Sequence, residues 1–192
     1  MRLPALTPQP ATRTVQRMVE PPTAPARPAT FSTPRLAVRP LLIRDAQPFH
    51  TVWGDPEVIF WGASPDLAFS AQLLERFTSQ RISGVAESGW FAVVRRDNDL
   101  FVGDVVLRPA PWDPDVPEVG WHVARAHQGG GYANEAAAGL LEHARRAGLT
   151  EVAAVILPDN LSSQRVAARI GMTRGDLMDY AGRPHHLWRR FL

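Results

Sequence analysis

The chain has 192 residues and a formal net charge of +2 at pH 7, a length that suits one domain with its own core plus a tail. It contains no cysteine, which excludes disulfides, thiolate-bound zinc or iron–sulfur centres and a cysteine nucleophile. All 21 of its Lys and Arg positions are Arg, so lysine Schiff-base chemistry and a Walker-type Gly-Lys-Ser/Thr loop are excluded as well.

Residues 1–30 carry Pro4, Pro8, Pro10, Pro21, Pro22, Pro25 and Pro28 among Ala and Thr, with Arg2, Arg13, Arg17 and Arg27 set against Glu20. Such a segment cannot bury enough apolar surface to offset its ordering entropy, and a disordered tail is expected. It lacks the apolar run of a secretory signal, and no stretch reaches transmembrane length. A cytoplasmic protein with no membrane partner is therefore expected, as a monomer or homodimer. The excess of positive charge sits in the tail, and residues 31–192 are close to neutral. That domain lacks the broad basic face nucleic-acid binding requires, so no nucleic-acid partner is expected.

From Arg35 to Pro40, Leu36 and Val38 alternate with Arg35 and Arg39, the pattern of a half-buried strand. Asp45 or Thr51 opens short helices before Trp61. Asp66 caps a helix from Leu67 to about Arg81 with Phe69, Leu73, Leu74 and Phe77 on one face. Two strands, Trp90 to Val94 and Leu100 to Leu107, flank a polar turn at residues 95–99, whose acids read as turn formers rather than metal ligands. Pro109 to Pro117 reads as a loop delivering the chain to a strand at Glu118–Val123. An Ala-rich helix follows to about Ala147, with Ala133, Ala137, Leu140, Leu141 and Ala144 inward. Gly148 ends it, and Val152 to Leu157 reads as a buried strand. Asn160 caps a helix stopped by Gly171, and two strands, about Thr173–Met178 and His186–Leu192, close the chain. The order predicts an α/β domain (α+β in its segregation) around a mixed sheet flanked by helices. His185 and His186 have no third ligand at metal spacing, so no metal is expected.

The strongest chemical signal is Gln128-Gly129-Gly130-Gly131-Tyr132-Ala133-Asn134 between the strand at Glu118 and the Ala-rich helix. Glycines there free backbone N–H groups, which with the helix dipole suit phosphate oxygens. A dinucleotide fingerprint fails, because Asn134 stands where the third glycine belongs and the loop lies late in the chain. Gln128, Gly131 and Ala133 instead meet the pattern Q/R-x-x-G-x-G/A, in which the chain resembles the GNAT acetyltransferases. Asn160-Leu161-Ser162-Ser163 and its helix resemble that family's second signature, and Thr33-Pro34-Arg35-Leu36-Ala37-Val38-Arg39-Pro40 resembles the opening strand of its RimJ/RimL-type branch. The resemblance covers about Phe31 to Leu192, with the elements in the family's order.

That resemblance implies a mostly antiparallel twisted sheet in which the parallel strands at Glu118 and Glu151 splay apart. It implies acetyl-CoA as co-substrate, its pyrophosphate on Gln128, Gly129, Gly130, Gly131, Tyr132, Ala133 and Asn134. The strand at Glu118 bulges in the family, and backbone groups matching Trp121, His122 and Val123 meet the cofactor arm, with Asn160 and Ser163 contributing from the second signature. The expected activity is N-acetylation of a primary amine by direct attack in a ternary complex; a non-catalytic acyl-CoA sensor on the same fold is the alternative. Glu118 is the candidate base, a solvated strand-edge glutamate its alternative. His122 has a near-neutral imidazole that suits a base, against a plain packed histidine.

The family's usual general acid, a Tyr seven residues after the signature Asn, is absent: Ala167 stands there. Ser163, against simple helix capping, and Tyr180 are the remaining donors. Arg125, Arg165 and Arg169 are candidates for phosphate contacts or plain solvated charges. The branch implies a peptide N-terminus as acceptor, with a small cationic amine next. Trp53, Phe60, Trp61 and Trp112 are candidates for the acceptor groove, core aromatics being the alternative, and Asp55, Glu57, Asp113 and Asp115 for attracting the cation.

Overall fold

The computed structural model describes residues 31–59, 64–79, 85 and 87–192. The expected tail lies outside these residues, as do Phe60 and Trp61. One sheet holds all eight strands in the order β1-β2-β3-β4-β5-β6-β8-β7. They are β1 (Phe31–Ser32), β2 (Leu36–Pro40), β3 (Gly89–Arg95), β4 (Phe101–Ala110), β5 (Asp113–Val123), β6 (Glu151–Ile156), β7 (Thr173–Tyr180) and β8 (Arg183–Phe191). Every neighbouring pair is antiparallel except β5 with β6. The mixed, mostly antiparallel sheet with one parallel pair, flanked by helices, is thus observed. Among the described residues no helix is long and apolar enough to cross a membrane.

The middle of the sheet is apolar on both faces, as expected for strands covered by helices on both sides. On β3, Phe91 and Val93 join one core cluster while Trp90, Ala92 and Val94 join the other. The first cluster includes Ala136, Ala137, Leu140, Leu141 and Ala144 of α3 (Tyr132–Arg146) and Val166 and Ala167 of α4 (Leu161–Arg169). The second holds Phe49, Val52 and Trp53 of α1 (Ala46–Trp53) and Leu74 of α2 (Leu67–Ser79). Ala133 is only partly buried but packs against the same cluster, so the inward stripe of α3 starts where expected. The Asp66 side chain accepts the Ala68 N–H at 2.8 Å, as a cap should.

Two boundaries differ from the sequence reading. Residues 109–117 are not a loop: β4 runs to Ala110 and β5 starts at Asp113, leaving a two-residue turn. Pro109 and Pro117 lie opposite each other, which an antiparallel ladder tolerates only where facing residues exchange no hydrogen bonds. The last two strands also run longer, meeting at Tyr180 opposite Arg183.

A tight contact joins β1 to α3. A Cβ on Gly139 would lie 2.8 Å from both Phe31 Cε2 and Thr33 Cγ2, so the missing side chain is what admits the sheet edge. Gly139→Leu is expected to cost about 1–3 kcal/mol through overpacking, although replacing Gly in a helix ordinarily helps by roughly 0.5–1 kcal/mol; urea denaturation checks the sign.

Candidate active site

The site is built around β5. Along β4 its register is continuous from Gly103 opposite Val123 to Pro109 opposite Pro117. Along β6 a single register pair, Glu118 opposite Ala153, is formed. Past Glu118 the edge of β5 that faces β6 has no ladder partner, and its backbone groups must be satisfied some other way. The two strands part where Glu118 stands.

Glu118 is only 7 % exposed, which rules out the solvated strand-edge glutamate. Its Oε2 accepts a hydrogen bond from Arg108 Nε at 2.7 Å, and the Arg108 guanidinium lies 5.6 Å from the centre of the Trp90 ring. Burial pushes the Glu118 carboxyl above its ordinary range, and the opposing pull of Arg108 and His122 does not cancel it. A carboxyl raised in the folded state favours folding at pH below its unfolded pKa, and that contribution is lost as pH rises through the folded value.

Gly120 and His122 share the Glu118 face of β5, as period-two alternation requires. His122 is directly opposite Asp104, and its Nδ1 lies 2.9 Å from Asp104 Oδ1. Asp104 is fully buried and its Oδ2 accepts from Trp53 Nε1 at 2.9 Å, so each carboxylate oxygen has a partner. The His122 ring packs against Trp53 and Trp90, with centroids 4.9 and 6.4 Å away, and those two rings also touch each other at 5.6 Å. No bulge occurs at Trp121–Val123, where the resemblance implied one; the β4–β5 irregularity is at Pro109/Ala110. The cross-strand Asp104–His122 pair requires facing residues in regular register, which accounts for the difference. Trp121 packs toward the α3-side core, and the Val123 carbonyl accepts from Gln128 Nε2 at 3.1 Å.

After β5 the chain turns through residues 125–127 into the glycine loop. Gly129 and Gly131 have φ of +80° and +79°, values that demand glycine. The first amide of the stretch to find a backbone acceptor is that of Glu135, bonded to Gly131 O at 3.1 Å. Among the described residues, none of the amides of 129–134 has an acceptor. Gly131 is the N-cap residue of α3, so a row of free donors coincides with the positive end of a helix of 15 residues. Tyr132 and Ala133 are partly buried, and the buried Asn134 Oδ1 has no partner.

The second signature lies at the start of α4. Asn160 Oδ1 accepts the Ser163 N–H at 3.0 Å and the Ser162 hydroxyl at 2.9 Å. Capping therefore uses the Ser163 amide; among the described residues its hydroxyl has no hydrogen-bond partner. Ala167 is fully buried. Tyr180 stands elsewhere: its ring meets Trp112 and His185 edge-on, at 5.4 and 5.5 Å, linking the β4–β5 and β7–β8 hairpins. Of the groove aromatics, Trp53 is core, 4 % exposed, while Trp112 sits at the hairpin. Arg125 pairs with Glu57 at 2.7 Å, and Arg165 and Arg169 are exposed on α4.

The profile of the acetyltransferase (GNAT) domain matches residues 35–173. The chain belongs to the GNAT acetyltransferase family. As such it is an acyltransferase, on a fold that uses acetyl-CoA. It is 30% identical over 145 residues to the uncharacterized N-acetyltransferase YnaD of Bacillus subtilis, covering 75% of this chain and 82% of that protein. An acetyltransferase from Agrobacterium tumefaciens superposes with a TM-score of 0.71 at 26% identity, over 84% of this chain and 94% of that one. RimJ of Mycobacterium smegmatis, solved with CoA-disulfide, shares the fold with a TM-score of 0.65 at 21% identity, over 85% and 88% of the two chains.

Three features of this GNAT site escaped the sequence reading: Arg108 on Glu118, Asp104 beneath His122, and Arg35 on Glu135. Each pairs residues on different elements, and only the strand register brings the first two together. Asp104→Ala removes the buried carboxylate that accepts from Trp53 Nε1 and pairs with His122 Nδ1. A loss of about 2–5 kcal/mol is expected, checked by urea unfolding of the variant beside wild type.

Proposed function

We propose that the protein moves the acetyl group of acetyl-CoA to a primary amine by direct attack in a ternary complex. The observation that carries this reading is the buried Glu118 at the vertex where β5 leaves β6, on the strand that leads into the loop of free amides. Acetyl-CoA fits that loop: the amides of 129–134 supply donors, and no charged residue lies in Gln128–Asn134. Its arm would lie along Trp121, His122 and Val123, with Asn160 and Ser163 on the α4 side. The co-substrate supplies an acetyl group already activated as a thioester.

Glu118 takes the amine proton at Oε1, since Oε2 is held by Arg108; its raised basicity suits that task. The Ser163 hydroxyl is the proton donor toward the leaving sulfur, in place of the tyrosine that Ala167 replaces. Tyr180, held against Trp112, serves the acceptor side. The RimJ/RimL-type resemblance favours a peptide N-terminus as acceptor, with small cationic amines next. Asp113 and Asp115, exposed on the β4–β5 hairpin near Trp112, support a cationic acceptor, whereas Glu57 is already balanced by Arg125.

Free thiol released from acetyl-CoA, read against a panel of peptides, polyamines, amino acids and aminoglycosides, tests the activity; silence across the panel would favour an acyl-CoA sensor. Glu118→Gln is expected to lower kcat by roughly 10²–10⁴-fold. The acid limb of kcat/KM should lie above the ordinary carboxylate range, because Glu118 must lose its proton to act. Arg108→Gln removes a cation that lowers this pKa and should move the limb to higher pH; a limb that stays put would remove Glu118 as the base. Gly131→Glu sets charge and bulk against the pyrophosphate, and a folded variant should lose several kcal/mol of acetyl-CoA affinity by calorimetry.

A further inference from the structure

We propose that Arg35 is a positioning residue for the phosphates of the co-substrate, fixing the Gly130–Gly131 peptide and cancelling the Glu135 carboxylate beside the amide loop. This rests on the reading of residues 128–134 as the phosphate cradle. Arg35 lies in the turn between β1 and β2, 95 residues before the loop carbonyl it grips. Its Nη1 donates to Gly130 O at 3.0 Å and its Nε to Glu135 Oε2 at 2.6 Å. The guanidinium carbon lies 4.8 Å from the centre of the Tyr132 ring, and Nη2 would be 3.4 Å from a Cβ on Gly131. A planar fork of fixed donors makes these contacts together; a lysine ammonium would not.

Two consequences bear on an anion. Among the described residues no peptide bond is cis, and in a trans peptide the C=O and the following N–H point in opposite directions. Holding the Gly130 carbonyl on Arg35 therefore turns the Gly131 N–H to the other side, so the loop offers the anion a donor and keeps the carbonyl lone pairs away. The second consequence concerns charge. Glu135 lies in the first turn of α3, beside the place where a pyrophosphate would sit. Burial would raise its pKa, but hydrogen bonds from the Thr33 hydroxyl and from the Arg35 amide and guanidinium prevail and hold it below the usual range. It is therefore an anion, and without the guanidinium it would repel the phosphates.

The Thr33 hydroxyl and the Arg35 amide reach Glu135 Oε1 at 2.6 and 2.8 Å independently of the Arg35 side chain, so Arg35→Gln keeps part of the anchor of α3. The experiment compares acetyl-CoA with S-acetylpantetheine, which has the same thioester and arm but no phosphates. Arg35→Gln is expected to lower kcat/KM for acetyl-CoA roughly tenfold, more at low salt, and to leave that for S-acetylpantetheine within about twofold. Adding Glu135→Gln should recover part of the loss. An equal fall for both donors, or no fall with acetyl-CoA, would overturn the proposal. Should Arg35→Gln not fold, Arg35→Lys carries the same comparison, with the charge kept and the grip on Gly130 lost; its acetyl-CoA defect should be smaller but still absent with S-acetylpantetheine. Unchanged acetyl-CoA affinity in folded Gly131→Glu would instead remove the cradle itself, a failure separate from that of Arg35.

Discussion

The parting of β5 from β6 after one register pair is the constraint on which the rest of the structure depends. A continuous parallel ladder would occupy every backbone group on the inner edges of both strands. Ending it at Glu118 leaves donors and acceptors that must find other partners. The sheet tolerates this because each strand is secured on its far side, β5 by a long antiparallel ladder to β4 and β6 by six register pairs to β8. Helices α3 and α4 then cover the first core cluster from one side while α1 and α2 close the other. The interrupted ladder thus lies inside a sheet held firmly on both sides, and the buried Glu118 stands where it ends.

Burial explains why the groups beside that break come as pairs. Glu118 and Asp104 are both carboxylates with little or no contact with water, and each would be costly alone. Arg108 offsets the first, while the second is held by two donors of the aromatic cluster. These pairings cost desolvation, and they are weak evidence for net stability. What they supply is fixed orientation: the carboxyl of Glu118 and the ring of His122 are each set by a neighbour on the adjacent strand.

Much of this was legible from the chain alone where the signal is local. The strand at Arg35–Pro40, the capped helix at Asn160 and the glycine loop follow from alternation, capping chemistry and the conformational freedom of glycine. The hairpin at 109–117 was misread because its four prolines resemble a loop, yet Pro109 and Pro117 oppose each other where a ladder needs no donor. Asp104 carried no signal at all, since a lone aspartate in an apolar run says nothing until the register sets it opposite His122. The same holds for Arg35 and Glu135, which are a hundred residues apart in sequence and meet through the packing of α3 on the sheet edge.

The cations that steady this site, Arg108 on Glu118 and Arg35 on Glu135, are both guanidinium groups. An ammonium group in either of these places would be an amine within reach of an acyl donor once it shed its proton. A guanidinium keeps its proton at any physiological pH and is a poor nucleophile. An enzyme that handles acetyl thioesters with such a framework can work in a high concentration of its own reagent without acylating the ion pairs that hold it together.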